Sequence, residues 1–363
     1  MIKNPKKEWK GKIEEYPLTN YPDYEAGKPP RVEKLQQFSY LDELERIWGK
    51  QWNAQGIGKL REVALIKPTG HEANLLWAKD PVFFLMRQGV IDQEALTLLF
   101  NQHEAYARVL KENGVHIHWM EIDDPMGAYG PMRKLYMAEE VFVTKGGAII
   151  PRFGHASYKR GLEPHFQSFL ASIGCPILLT VCGYGIFETG PGLVPVAEDA
   201  LLIHQSCAGN QEGLDQILPV LKRCGLKEYQ LVYLQTIMDS FESGGEFHVD
   251  MVVGPVDTGV AVIYPACLDY QTYVWLKDKG FKLIEVPPDE QKKYIPANCV
   301  ILEPGKVIMP AGAEKTNAAL RREGIDVIEV QTTGLTKGGT NGIRCMTMCL
   351  IRDRGPSLEE IKR

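Results

Sequence analysis

The stretch CVILEPGKVIMPAGAEKTNAALRREGIDVIEV, Cys299 to Val330, decides how the chain is read. Two short apolar runs, Cys299 to Leu302 and Lys306 to Met309, flank a Pro-Gly turn and read as paired strands. Glu314 to Arg322 reads as a helix. Gly324 then ends the helix, and Asp326 to Val330 reads as a third strand.

Working outward, the same order of strand, strand, helix, glycine and strand returns. One copy has strands around a Lys-Gly-Gly turn within Val141 to Ile150, a helix from Lys159 to Ser172, Gly174 and a strand from Pro176 to Val181. The next has Gly192 to Val196, Ala200 to His204, a helix from Gln211 to Arg223, Gly225 and Gln230 to Gln235. Another has Met251 to Gly254, Gly259 to Tyr264, a helix from Leu268 to Asp278, Gly280 and Lys282 to Val286. The earliest begins with the strand Arg61 to Lys67, followed by a helix from Asp92 to Glu112, Gly114 and the strand Val115 to Trp119.

A unit recurring at roughly 45–60 residues signals pseudo-symmetric repetition. Such units are not stable alone, so the expectation is one large α/β domain. Five ββαβ units closing on themselves make a five-bladed α/β propeller with a central cleft. A singly wound dinucleotide-binding sheet is the competitor, but no Gly-x-Gly-x-x-Gly follows a strand. Residues 1–57, rich in Pro, Tyr and Lys, read as an N-terminal extension packing on a core formed by residues 58–363.

Composition narrows the function. The chain has 363 residues, a net charge of -5 and 24% charged residues, which gives no nucleic-acid footprint. No apolar run approaches the ~20 residues of a membrane helix. The N-terminus lacks the apolar region of a signal peptide. Eight scattered cysteines have neither metal-ligand nor disulfide-rich spacing, so reduced thiols and a cytoplasmic location are expected.

Near the end, Lys337-Gly-Gly-Thr-Asn-Gly-Ile-Arg-Cys345 leads into the apolar run Met346 to Ile351, which reads as a buried strand. A thiol at this loop-to-strand junction, beside Arg344, is poised for reactivity because nearby positive charge favours thiolate; an ordinary buried cysteine is the alternative. Three segments could supply partners. In Phe247-His248-Val-Asp250, an imidazole and a carboxylate two apart on an extended segment leave one face, as a general base and a cation-binding group would. Glu188 stands alone among apolar residues and glycines, where an acid is either paired or functional. Glu139-Glu140 precedes the strand at Val141 and also fits a solvated acidic face. Each lies at the start of a unit, and equivalent positions of a closed propeller face one cavity. His116 and His118 share a strand face without a third ligand, so no metal site is expected. His71-Glu72 fits a surface loop.

Taken together, these motifs resemble the pentein superfamily of guanidine-modifying enzymes, and most of all its arginine deiminase branch. Gly342-Ile-Arg-Cys345-Met-Thr-Met is similar to that branch's terminal nucleophile motif, and Phe247-His248-Val-Asp250 to its His-Leu-Asp motif. Glu188-Thr-Gly resembles Glu-Gly-Gly-Asp, and Pro131-Met, Leu135-Tyr136 and Glu140-Val-Phe142 resemble the segment Pro-Met, Leu-Tyr, Arg-Asp-Pro-Phe. The motif order agrees from about Arg61 to Arg352.

The resemblance implies a five-bladed ββαβ propeller and covalent hydrolysis of a guanidine or amidine C–N bond. Cys345 would be the nucleophile forming a thiouronium intermediate, His248 the acid and base, and Glu188 its support. Asp250 and Glu140 would bind the planar cation bidentately. Neither a metal nor an organic cofactor is implied, and the partner is a small guanidine-type molecule. A homo-oligomer is left open.

The departures are specific. Glu140 stands where the family usually has Asp, and Pro191 replaces the second acid of Glu-Gly-Gly-Asp. Cys207-Ala-Gly-Asn210 stands where the deiminases carry an Arg-Thr pair that helps hold an amino-acid carboxylate, leaving Arg344 and Arg160 as candidate anion anchors. These changes point away from free arginine as the substrate. An amidinotransferase is the alternative, although such enzymes tend to carry Asp at the position of Glu188. A ligand-binding propeller without catalysis is a third reading, opposed by the joint presence of Cys345, His248, Glu188 and Asp250.

Overall fold

Each recurring unit becomes one three-stranded sheet in the computed structural model. The structure describes residues 10–20, 24–28, 39–67, 93–121, 140–154, 161–206, 208–234, 248–335 and 342–361. The chain divides into two compact units, residues 1–50 and 51–363. In the first, helix α1 (Tyr40–Trp48) is capped by the Ser39 hydroxyl, which accepts the Asp42 N–H, and ends at Gly49 with φ 71°.

The second unit holds the sheets. In chain order it begins with β1 (Leu60–Ile66), α2 (Gln93–Glu112) and β2 (His116–Met120), then β3 (Phe142–Thr144), β4 (Gly147–Ile150), α3 (Glu163–Ser172) and β5 (Ile177–Thr180). Next come β6 (Leu193–Ala197), β7 (Ala200–Gln205), α4 (Gln211–Arg223) and β8 (Glu228–Tyr233). They are followed by β9 (Val253–Asp257), β10 (Val260–Ile263), α5 (Tyr270–Asp278), β11 (Lys282–Glu285) and α6 (Pro288–Tyr294). The last are β12 (Val300–Glu303), β13 (Lys306–Pro310), α7 (Glu314–Arg322), β14 (Asp326–Val330) and β15 (Met348–Arg352).

Four sheets are continuous in sequence, with orders β3-β4-β5, β6-β7-β8, β9-β10-β11 and β12-β13-β14. In each, the first pair is antiparallel and the second parallel, with the helix making the crossover that a parallel pair requires. The fifth sheet, β15-β1-β2, takes its first strand from the far end of the chain. β15 pairs antiparallel with β1 through Val63↔Cys349 and Ala64↔Met348, and β1 pairs parallel with β2. The incomplete first unit of the sequence is therefore completed by the segment that carries Cys345.

The sheets form a ring. β15 packs beside β3, β6 beside β9, β9 beside β12 and β12 beside β1. Phe142 of β3 and Leu193 of β6 share one apolar cluster. The first strands of all five sheets line a common axial cavity, as the five-bladed propeller expectation requires. The five glycines that follow the crossover helices, Gly114, Gly174, Gly225, Gly280 and Gly324, all have φ between 78° and 98°, the left-handed region that stops a helix. Among the described residues no helix is long and apolar enough to cross a membrane.

Several boundaries differ from those expected. Thr189–Gly192 is a helical turn, so the strand expected from Gly192 begins at Leu193. Asp269 caps α5 by accepting the Thr272 N–H at 2.9 Å, which starts the helix at Tyr270 rather than Leu268. Helix α3 starts at Glu163; the expected stretch from Lys159 to Arg160 lies outside the described residues. Helix α6 was not anticipated, although Pro288 at its start, Asp289 and Glu290 in its first turn and two lysines in its last are the usual signals.

Candidate active site

The candidate residues stand where four of the five blades begin, on the segments entering their first strands. Glu140 precedes β3, Glu188 precedes β6, Asp250 precedes β9 and Cys345 precedes β15. The remaining blade contributes Asn298, two residues before β12. Repetition of one unit about an axis thus brings side chains far apart in sequence to one end of the ring.

His248 and Asp250 do not share a strand face. His248 is extended (φ -122°, ψ 144°), but Val249–Met251 forms a 3-10 turn, so strand alternation does not relate the two side chains. Glu188 is fully buried, and its Oε2 lies 2.9 Å from His248 Nε2. That contact answers how the lone acid is accommodated, since burial of an unpaired carboxylate is costly. A second imidazole, His204, lies behind His248 with its ring centroid 6.1 Å away.

Cys345 sits in a second 3-10 turn, Arg344–Met346, and the strand follows only from Met348. Asn298 holds this turn. Its Oδ1 accepts the backbone N–H groups of Arg344 at 2.9 Å and Cys345 at 3.2 Å, and lies 3.5 Å from the Cys345 sulfur. Its Nδ2 donates to Asp250 Oδ2. Asp250 Oδ2 also lies 3.3 Å from Arg344 Nη1, whereas Oδ1 makes no hydrogen bond among the described residues. A Cβ on Gly342 would collide with the Asn298 side chain, so the glycine before the nucleophile motif lets the amide fit beneath it.

One network therefore joins Cys345, Arg344, Asn298 and Asp250, and His248, with Glu188 bonded to it, stands two residues before Asp250. Glu140, 3% exposed, adjoins the network through the backbone. The Thr189 hydroxyl lies 3.1 Å from Glu140 O and 2.8 Å from Ile149 O, and accepts the Phe142 N–H at 3.2 Å. Pro191, where the family has a second acid, is buried in the same helical turn as Thr189. Arg160, His71 and Glu72 lie outside the described residues.

Two further buried thiols differ in kind. Burial pushes Cys175 and Cys299 up to about 12, so neither supplies thiolate near neutral pH. The sequence reading missed Asn298, which has no motif of its own. Its position offered the available signal: a polar side chain at the entry to the fifth repeat, where the other blades carry their candidates. Among the described residues no cluster of His, Cys, Asp and Glu could hold a metal ion.

Comparison with known proteins bears on the family and the fold. The arginine deiminase family model matches residues 242–352, which hold His248, Asp250, Asn298 and Cys345. A 2-nitroimidazole nitrohydrolase from Mycobacterium sp. (strain JS330) is 31% identical over 360 residues, covering 95% of this chain and 94% of that protein. The N(G),N(G)-dimethylarginine dimethylaminohydrolase of Pseudomonas aeruginosa is 27% identical over 249 residues, 68% of this chain and 86% of that protein. A solved structure of the Pseudomonas aeruginosa enzyme in complex with citrulline superposes with a TM-score of 0.61 at 22% identity, covering 81% of this chain and all of that one. With a relative matched over nearly its whole length, five ββαβ blades and the motifs in family order, the chain belongs to the pentein superfamily, among its hydrolases of C–N bonds.

Proposed function

We propose that the chain hydrolyses a C–N bond at a carbon bonded to three nitrogens, in a small planar substrate without an amino-acid head group. The observation that carries this reading is the network joining Cys345 to Asp250 through Asn298, with the bonded His248–Glu188 pair attached two residues before Asp250. In a guanidine, the central carbon bears three nitrogens. In 2-nitroimidazole, C2 bears two ring nitrogens and the nitro nitrogen. Both are electrophilic carbons in a flat N–C–N frame, so one nucleophile and one carboxylate can serve either.

In the proposed cycle Cys345 thiolate adds to that carbon, and the leaving nitrogen departs with the bonding pair, as an amine protonated by His248 or as nitrite. The carbon is then held through a C–S bond. His248 takes a proton from water, the resulting hydroxide adds to the same carbon, and the sulfur leaves as thiolate. Glu188 holds the imidazole in orientation, as the third member of a triad does. Asp250 offers Oδ1 to an N–H of the substrate, and Glu140 is proposed as a second acceptor. Arg344 pairs with Asp250, which supports a role in positioning that carboxylate, and Arg160 is retained as a candidate anion anchor. The presence of Cys207-Ala-Gly-Asn210 where the deiminases carry an Arg-Thr pair supports a substrate without a carboxylate to be held there.

The test is a panel of arginine, methylated arginines, agmatine, small guanidino acids and 2-nitroimidazole, reading ammonia, amine and nitrite. Release from 2-nitroimidazole or a carboxylate-free guanidine, abolished by Cys345→Ala, is expected. Brisk deimination of arginine, or full activity of Cys345→Ala, would overturn the proposal. Adding glycine or lysine to the same assay separates hydrolysis from amidino transfer, because a transferase would pass the amidine to the amine.

A further inference from the structure

Helix α6 (Pro288–Tyr294), between β11 and β12, contributes nothing to the proposed cycle, yet one of its side chains grips a segment that does. Gln291, 2% exposed, donates from Nε2 to Met251 O at 3.0 Å. Met251 closes the 3-10 turn that carries Asp250, and its N–H donates to His248 O at 3.2 Å. The amide therefore holds this turn at a carbonyl one residue from the carboxylate proposed to bind substrate.

The backbone of the same residue leads to Asn298. Gln291 O accepts the Ile295 N–H at 3.2 Å, and Ile295 O accepts the Asn298 N–H at 3.0 Å. Asn298 Nδ2 then donates to Asp250 Oδ2. These bonds close a circuit: from Asp250 along the chain to Met251, across to Gln291, through Ile295 to Asn298, and back to Asp250.

The joint of that circuit is strained. Ile295 has φ 49° and ψ 62°, and among the described residues it is the one non-glycine with positive φ. A β-branched side chain disfavours this conformation, which persists only where the surroundings over-determine the backbone. Here they do. Ile295 is fully buried. A Cβ on Gly254, in β9, would collide with the Ala297 carbonyl, and one on Gly312 with the Tyr294 ring, so bare backbone closes on the segment at both places.

We propose that Gln291 is a positioning residue, which sets the Asp250 carboxylate against the substrate by fixing the Val249–Met251 turn. It acts through Met251 O. The Cys345 turn has anchors of its own: Asn298 Oδ1, and Thr347, whose hydroxyl lies 2.6 Å from that of Tyr106. Loss of the Gln291 amide should therefore loosen the carboxylate and leave the thiol in place, so that binding suffers and the chemical step does not. The inference rests on the proposed role of Asp250 as the substrate's carboxylate.

The test uses Gln291→Met, which keeps the volume and removes the donor, and Gln291→Glu, whose carboxyl donates to Met251 O only when protonated. On a substrate that the wild type turns over, Gln291→Met should raise KM about five- to tenfold, the scale of one buried hydrogen bond, with kcat within about twofold of wild type. The KM of Gln291→Glu relative to wild type should be near one at low pH and climb as the carboxyl ionises, above the ordinary carboxylate range because it is buried. Wild-type KM in both folded variants, or a loss that lies in kcat, would overturn the proposal. Hydrogen exchange without substrate separates this role from the reaction itself. In Gln291→Met the amides of Val249 to Val252 should exchange faster, and those of Arg344 to Thr347 at the wild-type rate. Should the wild type turn over nothing in the substrate panel, the reaction is wrong and exchange decides; unchanged exchange at Val249 to Val252 would then overturn the role of Gln291. If Gln291→Met fails to fold, Gln291→Glu decides. Failure of both would overturn the proposal, because Gln291 would then hold the fold and not this turn.

Discussion

Asn298 and Cys345 are joined through both backbone and side chain: the amide oxygen accepts the Cys345 N–H at 3.2 Å and lies 3.5 Å from its sulfur. The same amide donates to Asp250. Asn298 thus sets the separation between the thiol and the carboxylate proposed to hold the substrate. Replacing Asn298 with Ala should lower kcat/KM by about 10²-fold, the scale on which a misplacement of roughly 1 Å acts. Gly342→Ala should act in the same direction, because its methyl group would displace the amide. Steady-state kinetics with far-UV circular dichroism as the folding control will check both. Near-normal kinetics in folded Asn298→Ala would remove the amide from the site.

The Glu188 carboxylate is bonded to His248 at 2.9 Å and fully buried, so its replacement should act through the imidazole. Glu188→Gln keeps the shape and removes the charge. Turnover should fall by about 10²-fold or more, within the range that positioned acid–base groups contribute. If His248 activates the water, the Cys345 adduct should accumulate in this variant. Intact-protein mass spectrometry after mixing with substrate will show it, and rapid loss of the adduct at the wild-type rate would contradict the assignment.

Helix α7 is capped from outside. Ala313 at its start offers no side-chain acceptor, and Glu290 of α6 replaces it. The Glu290 carboxylate, 5% exposed, accepts the Lys315 N–H at 2.6 Å, the Thr316 N–H at 3.0 Å and the Thr316 hydroxyl at 2.6 Å. Glu290→Ala should cost about 1–3 kcal/mol, since it strands buried donors as well as removing a cap. Urea unfolding monitored by circular dichroism gives the value, and activity at low denaturant should remain.

His103 predicts an acid-sensitive stability. Burial lowers its pKa from 6.5 to about 4, because the charged imidazolium is disfavoured away from water. The unfolded chain therefore takes up this proton near pH 6.5, while the folded chain does so only near pH 4. Between these values the unfolded state binds more protons, so stability falls as pH falls through that window and levels off below it. The contribution is roughly 3 kcal/mol, at about 1.4 kcal/mol per pKa unit. His103→Leu should flatten the dependence, measured by urea unfolding at pH 7, 5.5 and 4.5.

What the sequence made legible was whatever one unit determines locally. Gly114, Gly174, Gly225, Gly280 and Gly324 announce helix ends because only a left-handed residue stops those helices cleanly, and that requirement does not depend on neighbours. The apolar runs around Val300 and Val307 read as strands for the same reason. The completion of the first sheet by β15 was not legible, because Met348 to Arg352 carries no mark of pairing with residues almost three hundred positions earlier. The turns at Val249–Met251 and Arg344–Met346 were hidden too, since short 3-10 segments have no periodicity and extended backbone was the natural reading. Within the candidate site, Cys345, His248 and Glu188 were proposed from residue type and entry position. Asn298 was not, because a neutral amide gains importance only from what it touches.

The strand that completes the ring begins three residues after Cys345, and among the described residues it is the last strand in order of synthesis. During translation the first blade lacks a strand until this segment is made, and Cys345 reaches Asn298 only when that gap is filled. The thiol proposed as nucleophile is thereby seated in its network only once the ring is whole, so on that proposal completion of the fold and the onset of turnover would coincide.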